Sequence, residues 1–352
     1  MKALQLVMQG KFFDVRVHNL QMPAIGADEV LVKVMYTGVN PADYLTATGF
    51  FNIAKKPILP YTLGYELCGK VVAKGQNVHH ITVGDIVIGS GEGCFASYVA
   101  LKENQIAKLP EFFTMAEGAA IPIAALTAYQ AFKALGIKGL ESNTTIHEAV
   151  ESTILPAHEL LQTRESLFIA GGTGAVGFMA IALAHKLGLI TYVSGNGKKA
   201  EQAMALGAKQ VFDYKSKSPI PLKDPLDYGL DMVGGTMTHK LQQLVKDYGS
   251  VVTIKGIPTG EFAKAEGLAF WQQQLLQWAS MPYRYYAAWR HQAYEFISVK
   301  PGRQDLEYML EVIQEIGYKP SIDSIYSLEE GEKALRYVNA GGLKGKVLLK
   351  IQ

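Results

Sequence analysis

Leu167-Phe168-Ile169-Ala170 is an uninterrupted apolar run that leads into Gly171-Gly172-Thr173-Gly174-Ala175-Val176-Gly177 and then into a largely apolar stretch as far as Leu187. The run reads as a buried strand and the residues after the glycines as a helix. A strand carboxyl end, a tight turn and a helix amino end bring several backbone N–H groups and the positive end of the helix dipole to one point, where a pyrophosphate fits. The glycines are spaced G-x-x-G-x-x-G from Gly171 to Gly177, and Gly172, Gly174 and Gly177 also satisfy G-x-G-x-x-G. In such a turn Gly174 lets backbone approach the ligand and Gly177 lets the helix pack on the strand. Gly171, Thr173, Gly174, Ala175 and Val176 are the residues expected around the phosphates. A tight turn without a ligand is the competing reading, and the alternation that follows favours the dinucleotide.

That alternation runs helix Val176–Leu187, strand Leu189–Val193, helix Lys198–Leu206 and strand Gln210–Phe212, with Asp227–Val233 and Ser250–Ile254 as further strands. It implies a doubly wound parallel sheet. Before Pro110 the texture differs. Glu29–Val34 alternates polar and apolar residues, and Gly69–Gly75 and Val83–Gly89 are short strands bounded by glycine, as in a compact barrel-like β domain. Met115 to Leu135 is Ala-rich and helical, with Pro122 marking a break or a first turn. Ile137 to Arg164 is polar and lacks a strand pattern. Trp271 to Tyr294 is aromatic-rich and helix-like, Leu306–Ile316 and Leu328–Val338 have helical periodicity, and Gly345–Ile351 closes the chain as a strand. The fold class is therefore α/β, and 352 residues correspond to two domains at roughly 150 residues each.

Composition excludes several functions. A net charge of +2 lacks the basic excess of an electrostatic nucleic-acid binder. The start, Met1-Lys2-Ala3-Leu4-Gln5-Leu6-Val7, has no long apolar core or cleavage site of a signal peptide. Leu167–Ile190 has little charge, but its turn glycines argue against a membrane span. Two cysteines, Cys68 and Cys94, cannot build a disulfide framework or a four-thiolate zinc site, and they fit a cytoplasmic compartment. The eight histidines form no H-E-x-x-H, and His79-His80 lies in a polar turn. No metal site is expected.

An NAD-selective turn usually carries Asp or Glu about 20 residues on, bonded to the ribose 2′-hydroxyl. Here the second strand ends Tyr192-Val193-Ser194-Gly195-Asn196-Gly197-Lys198-Lys199, without a carboxylate. At ~4 Å and an effective dielectric of about 20, a carboxylate would repel a 2′-phosphate by several kcal/mol and a lysine would attract it comparably, before desolvation. The sign favours NADPH over NADH. The competing reading makes Lys198 and Lys199 a solvated helix start.

The ordered motifs Gly38-Val39-Asn40-Pro41-Ala42-Asp43, Leu63-Gly64-Tyr65-Glu66-Leu67-Cys68-Gly69, Val83-Gly84-Asp85, Phe95-Ala96-Ser97-Tyr98-Val99, Leu126-Thr127-Ala128-Tyr129 and Gly345-Lys346-Val347 span nearly the whole chain. Together they resemble the medium-chain dehydrogenase/reductase superfamily, and within it the zinc-independent quinone oxidoreductase, zeta-crystallin-like branch. The resemblance implies a GroES-like β-barrel catalytic domain over 1–133 and 303–352 and a Rossmann coenzyme domain over 134–302. Zinc-dependent relatives place a Cys near Asn40 and a His at Tyr65. The resemblance puts Asn40, and more weakly Tyr44, near the nicotinamide, with Thr127 bordering it. It puts Ser194 and Lys199 at the 2′-phosphate, Tyr214 beside the adenosine, and Ile257 and the basic Lys346 near the coenzyme. A homodimer is implied by analogy. Gly136–Arg164 is longer than the family's usual link, and aromatic Ala269–Arg290 is unusual, either a packing or dimer helix or an apolar lid.

The reaction expected is hydride transfer from NADPH to a quinone or an α,β-unsaturated carbonyl, with the protein supplying position and electrostatics. Negative charge develops on the carbonyl oxygen, and Tyr44, Asn40 or a water would donate to it. Turn formation is the plainer role for Asn40, since Asn-Pro starts turns well. One rival is an enoyl-thioester or alkenal reductase of the same fold. Another is an NADPH-binding sensor or partner protein with little turnover.

Overall fold

The computed structural model describes residues 1–53, 56–140, 165–216, 220 and 224–351. They form two compact units, Met1–Leu126 with Val299–Gln352, and Thr127–Ser298. From residue 141 on, the polar stretch singled out above lies outside the described residues.

The first unit holds strands β1 (Lys2–Met8), β2 (Asp14–Asn19), β3 (Glu29–Val39), β4 (Tyr61–Thr62), β5 (Glu66–Lys74), β6 (Ile86–Ser90), β7 (Tyr98–Lys102), β8 (Ile106–Lys108), β15 (Ile322–Ser327) and β16 (Lys346–Lys350). One sheet has the order β15-β16-β3-β5-β6-β8, with β7 also on β3, and a smaller one the order β2-β1-β4. Along β3 the valines Val30, Val32 and Val34 are fully buried while their neighbours are less so, the period-two pattern of a strand with one face on a core. They pack with Leu67, Val71 and Ile106. A second core gathers Leu4, Leu6, Phe95, Leu335 and Leu349. The Ala-rich segment is two helices, Met115–Ala119 and Pro122–Leu135. Pro122 starts the second because a first-turn residue needs no intrahelical N–H.

In the second unit, β9 (Ser166–Ala170), β10 (Ile190–Gly195), β11 (Ala208–Asp213), β12 (Leu226–Asp231), β13 (Val245–Thr253) and β14 (Ala293–Phe296) form one parallel sheet in the order β11-β10-β9-β12-β13-β14. Numbered from its first strand this is 3-2-1-4-5-6, the doubly wound order whose ligand crevice lies outside the carboxyl ends, where the winding reverses. Leu167 to Ala170 are fully buried because β9 is covered on both faces. The helix Ala175–Lys186 buries every residue from Gly177 to Ala184.

The aromatic segment departs from the helical reading at its end. Helices Phe270–Ala279 and Met281–Trp289 are followed by His291 at a φ of +52°, and Ala293 then pairs with Ser250 to begin edge strand β14. Its neighbour on β13 supplies the pairing, so the strand is a tertiary product, and its four residues carry too short a pattern to show in sequence.

Candidate functional site

The glycine turn leaves β9 and folds against the end of β10. Gly171 and Gly172 both donate their N–H to the Ser194 carbonyl at 2.9 Å. Gly171 has a φ of +81°, open to glycine at little cost. The helix begins at N-cap Gly174, and no side chain caps it. A Cβ on Gly174 would meet nothing nearer than the Gly171 carbonyl oxygen at 3.5 Å. Gly174 and Ala175 are exposed and Val176 half-buried. A helix amino end with its first N–H groups unengaged by side chains, fronted by open space, fits a dinucleotide's phosphates.

The end of β10 closes over this turn. The Thr173 hydroxyl accepts the Asn196 N–H at 2.8 Å, and the Lys199 ammonium donates to the Thr173 carbonyl at 3.3 Å while lying 5.7 Å from the centre of the Phe178 ring. Thr173 and Ser194 are buried. Lys199 thus places a positive charge beside the glycine turn. Tyr214, 63% exposed, donates its backbone N–H to the Gly195 carbonyl at 3.0 Å, which sets it at the same edge. Ile257 is half-buried in the chain that leaves the carboxyl end of β13.

Two acids here were not singled out from sequence. Asp213 ends β11, and a Cβ on Gly197 would come within 2.6 Å of its carboxylate. The carboxylate missing from β10 is therefore matched by one on the neighbouring strand, exposed and beside the same loop. Asp231, fully buried at the end of β12, accepts the N–H groups of Val233 and Gly234 at 2.9 and 2.8 Å and the Thr253 hydroxyl at 3.1 Å. It holds the loop that flanks Gly171. A cavity of about 470 Å³ lies at the opposite, amino end of β10, lined by His185, Ile190, Gly207 and Lys209 among others.

In the first unit, Asn40 stands at the N-cap of the helix Pro41–Thr48, as Asn-Pro suggests, but its side chain does not cap it. The Asp43 carboxylate accepts the Asn40 N–H at 2.8 Å and the Gly64 N–H at 3.1 Å. The Asn40 carboxamide turns inward, its Nδ2 donating to Glu66 Oε1 at 2.7 Å and its Oδ1 accepting from Lys346 Nζ at 2.6 Å. Lys346 and Glu66 form an ion pair at 2.6 Å, with side chains 8% and 0% exposed. Lys346, expected near the coenzyme, is thus engaged by Glu66 and Asn40. Burial raises the Asp43 carboxyl to about 7, with a smaller rise from nearby Glu66, against the hydrogen bonds and Lys346 that lower it. Tyr44 packs edge-on against Phe13 with ring centres 5.6 Å apart. Tyr65 exchanges a hydrogen bond with Thr46 at 2.8 Å, and burial raises its phenol. Thr127 is buried in the helix Pro122–Leu135.

The turn residues, Ser194, Lys199, Tyr214 and Ile257 thus share the carboxyl side of the parallel sheet, while Asn40, Tyr44 and Lys346 gather around one helix start of the first unit. A signal for Glu66 was present: a charged residue directly ahead of the uncharged run Leu67-Cys68-Gly69. Among the described residues no three His, Cys, Asp or Glu side chains cluster as metal ligands. Burial raises both thiols, Cys68 and Cys94. No described helix is long and apolar enough to cross a membrane.

Residues 26–111 match the alcohol dehydrogenase GroES-like domain, and residues 206–349 match the zinc-binding dehydrogenase family. The chain is 31% identical over 254 residues to a 2-methylene-furan-3-one reductase of Solanum lycopersicum, covering 68% of this chain and 58% of that one. It is 27% identical to a chloroplastic quinone-oxidoreductase homolog of Spinacia oleracea, covering 99% of this chain and 98% of that one. The structure of the quinone oxidoreductase from Coxiella burnetii superposes with a TM-score of 0.78 at 23% identity over 100% of this chain and 99% of that one, which shows a common fold. With the parallel sheet and the ordered motifs, the two family matches, which together take in most of the chain, place it in the medium-chain dehydrogenase/reductase family.

Proposed function

We propose that the protein is an NADPH-dependent reductase of quinones or α,β-unsaturated carbonyls that works without zinc. The observation that carries this reading is the uncapped helix amino end at Gly174 with Lys199 fixed beside it. The backbone of Gly174, Ala175 and Val176 would hold the pyrophosphate, and Ser194 and Lys199 a 2′-phosphate. When bound, a reduced nicotinamide supplies the hydride. The chain's own task is to orient the two partners and to meet the charge that grows on the substrate's carbonyl oxygen. Tyr44, in the helix that starts at Asn40 and with its ring packed on Phe13, would offer a hydroxyl to that oxygen. The proton that completes the reduction comes from solvent or from that hydroxyl.

The reductase named for 2-methylene-furan-3-one supports the enone side, since that compound is an α,β-unsaturated ketone. A homodimer in the cytoplasm belongs to the same proposal and is checked by sedimentation and by imaging the tagged chain. The functional test follows NADPH oxidation at 340 nm with a panel of quinones, enones and enoyl thioesters. Turnover with the first two classes supports the reading. Turnover with thioesters alone replaces the substrate, and NADPH binding without turnover replaces the enzyme by a sensor.

A further inference from the structure

We infer that Glu66 is a positioning residue that, with Lys346, fixes the Asn40 carboxamide so that it offers a hydrogen-bond acceptor to its surroundings. The inference rests on the reading of Asn40 as a coenzyme-side residue, and it changes what that residue does there.

A carboxylate only accepts hydrogen bonds and an ammonium only donates them. Asn40 lies between one of each, with Nδ2 at 2.7 Å from Glu66 Oε1 and Oδ1 at 2.6 Å from Lys346 Nζ. The flipped amide would face N–H against ammonium and oxygen against carboxylate, so the charges select one orientation. In it, the second N–H of Nδ2 points to the Gly38 carbonyl at 3.4 Å. The second lone pair of Oδ1 is what remains. Asn40 therefore suits a donor such as a carboxamide N–H, and does not suit the developing oxyanion of a substrate. Donation to that oxyanion falls to another group, such as the Tyr44 hydroxyl or a water.

Glu66 is itself held from several sides. Its Oε2 accepts the Ile123 N–H at 2.9 Å in the first turn of the helix Pro122–Leu135, and its own carbonyl accepts the Thr37 hydroxyl at 2.5 Å. Its Oε1 occupies space that only glycine leaves open: a Cβ on Gly38 would lie 2.2 Å away. Asn40, Glu66 and Lys346 are all buried. A buried ion pair is a poor source of stability, and its best-attested use is to specify one arrangement.

The test uses the full chain. In the coenzyme-free protein, ¹⁵N NMR follows hydrogen exchange of the Asn40 side-chain amide. Protection is expected in the wild type and in Glu66→Gln, whose amide oxygen still accepts, and loss of protection in Glu66→Leu/Lys346→Met, which replaces both charges by apolar groups. With NADPH and 1,4-naphthoquinone as probes, the double variant should lose about 10- to 100-fold in kcat. Its KM for the quinone should stay within about 3-fold, and the primary isotope effect with 4-deuterated NADPH should rise. Glu66→Gln should recover most of the rate. Should the double variant fail to fold, Glu66→Asp, which draws the carboxylate back by a methylene, should show the same changes at smaller size. Full amide protection in the folded double variant, or lost protection with unchanged kcat and isotope effect, overturns the inference. A wild type that oxidises no NADPH overturns the proposed reaction instead, and the exchange measurement then still decides the positioning.

Discussion

A Cβ on Gly177 would stand 2.3 Å from the carbonyl oxygen of Gly172, whereas one on Gly174 would meet nothing nearer than 3.5 Å. Gly177→Ala must push helix from turn, so denaturant unfolding should show a loss of about 1–3 kcal/mol, as for other overpacked sites. Gly174→Ala, at the N-cap of that helix, should cost at most about 1 kcal/mol. It should nevertheless raise the NADPH dissociation constant about 10-fold, a loss of about 1.4 kcal/mol, because the new methyl group stands where the ligand belongs. Unchanged affinity in Gly174→Ala, measured by fluorescence titration, would move the phosphates elsewhere.

Lys199 and Asp213 bring opposite charges to the loop after β10. Lys199→Ala should weaken NADPH more than NADH, and Asp213→Asn should strengthen NADPH relative to NADH. Each shift should be on the order of 1 kcal/mol, since Asp213 is exposed and Lys199 only half-buried, so that solvent screens both. The ratio of the two dissociation constants is the quantity to measure. A ratio that ignores Lys199 removes it from the 2′-phosphate.

Asp43 titrates at about 7 against an ordinary value of 3.8. A carboxyl whose folded value is raised binds protons more tightly in the folded state. Its contribution to stability is therefore complete below the unfolded value, about pH 4, and declines as pH rises through about 7. The decline is on the order of 4 kcal/mol. Asp43→Asn cannot ionise and should lack this slope, although it surrenders one of the two N–H bonds to Asn40 and Gly64. Urea unfolding of both proteins between about pH 4 and 8 isolates the difference, and parallel profiles would contradict it.

Tyr44→Phe keeps the ring that packs on Phe13 and removes only the hydroxyl. Stability should hold within about 0.5 kcal/mol. If the hydroxyl meets the developing oxyanion, kcat should fall by about 100-fold with KM little changed. Full activity in this variant would leave the oxyanion to water.

Lys346→Met strands the Glu66 carboxylate in a buried site and should destabilise the protein by about 3–5 kcal/mol. Removing both charges in Glu66→Leu/Lys346→Met should recover part of that loss, since Glu66 also accepts from the Ile123 N–H and Asn40 Nδ2. Thermal unfolding of the single and double variants shows whether the cost comes from an unpaired charge or from lost packing.

Much of the glycine turn and the elements on either side of it was legible in sequence because its parts are local. The strand, turn and helix from Leu167 to Lys186 are contiguous, and glycine spacing reports backbone geometry directly. The start of the helix after Asn40 was legible for the same reason, since Pro41 fits only a first turn. The role of the Asn40 side chain was not, because its partners Glu66 and Lys346 come from distant strands, the second of them 306 residues away. Asp213 escaped notice because it answers a gap in β10 from the next strand over.

By itself the sequence determined a strand-rich part and a doubly wound parallel part, a glycine turn between strand and helix, and a family pattern, all carried by short-range periodicity, glycine spacing and motif order. Tertiary structure decided which charges meet. Burial in a shared interior turned Glu66 and Lys346 into a fixed pair, aimed the Asn40 amide, raised Asp43, and set Asp213 against the loop that carries Lys199. Those outcomes depend on desolvation and on distances across the fold, and neither quantity is a property of residues that are neighbours in the chain.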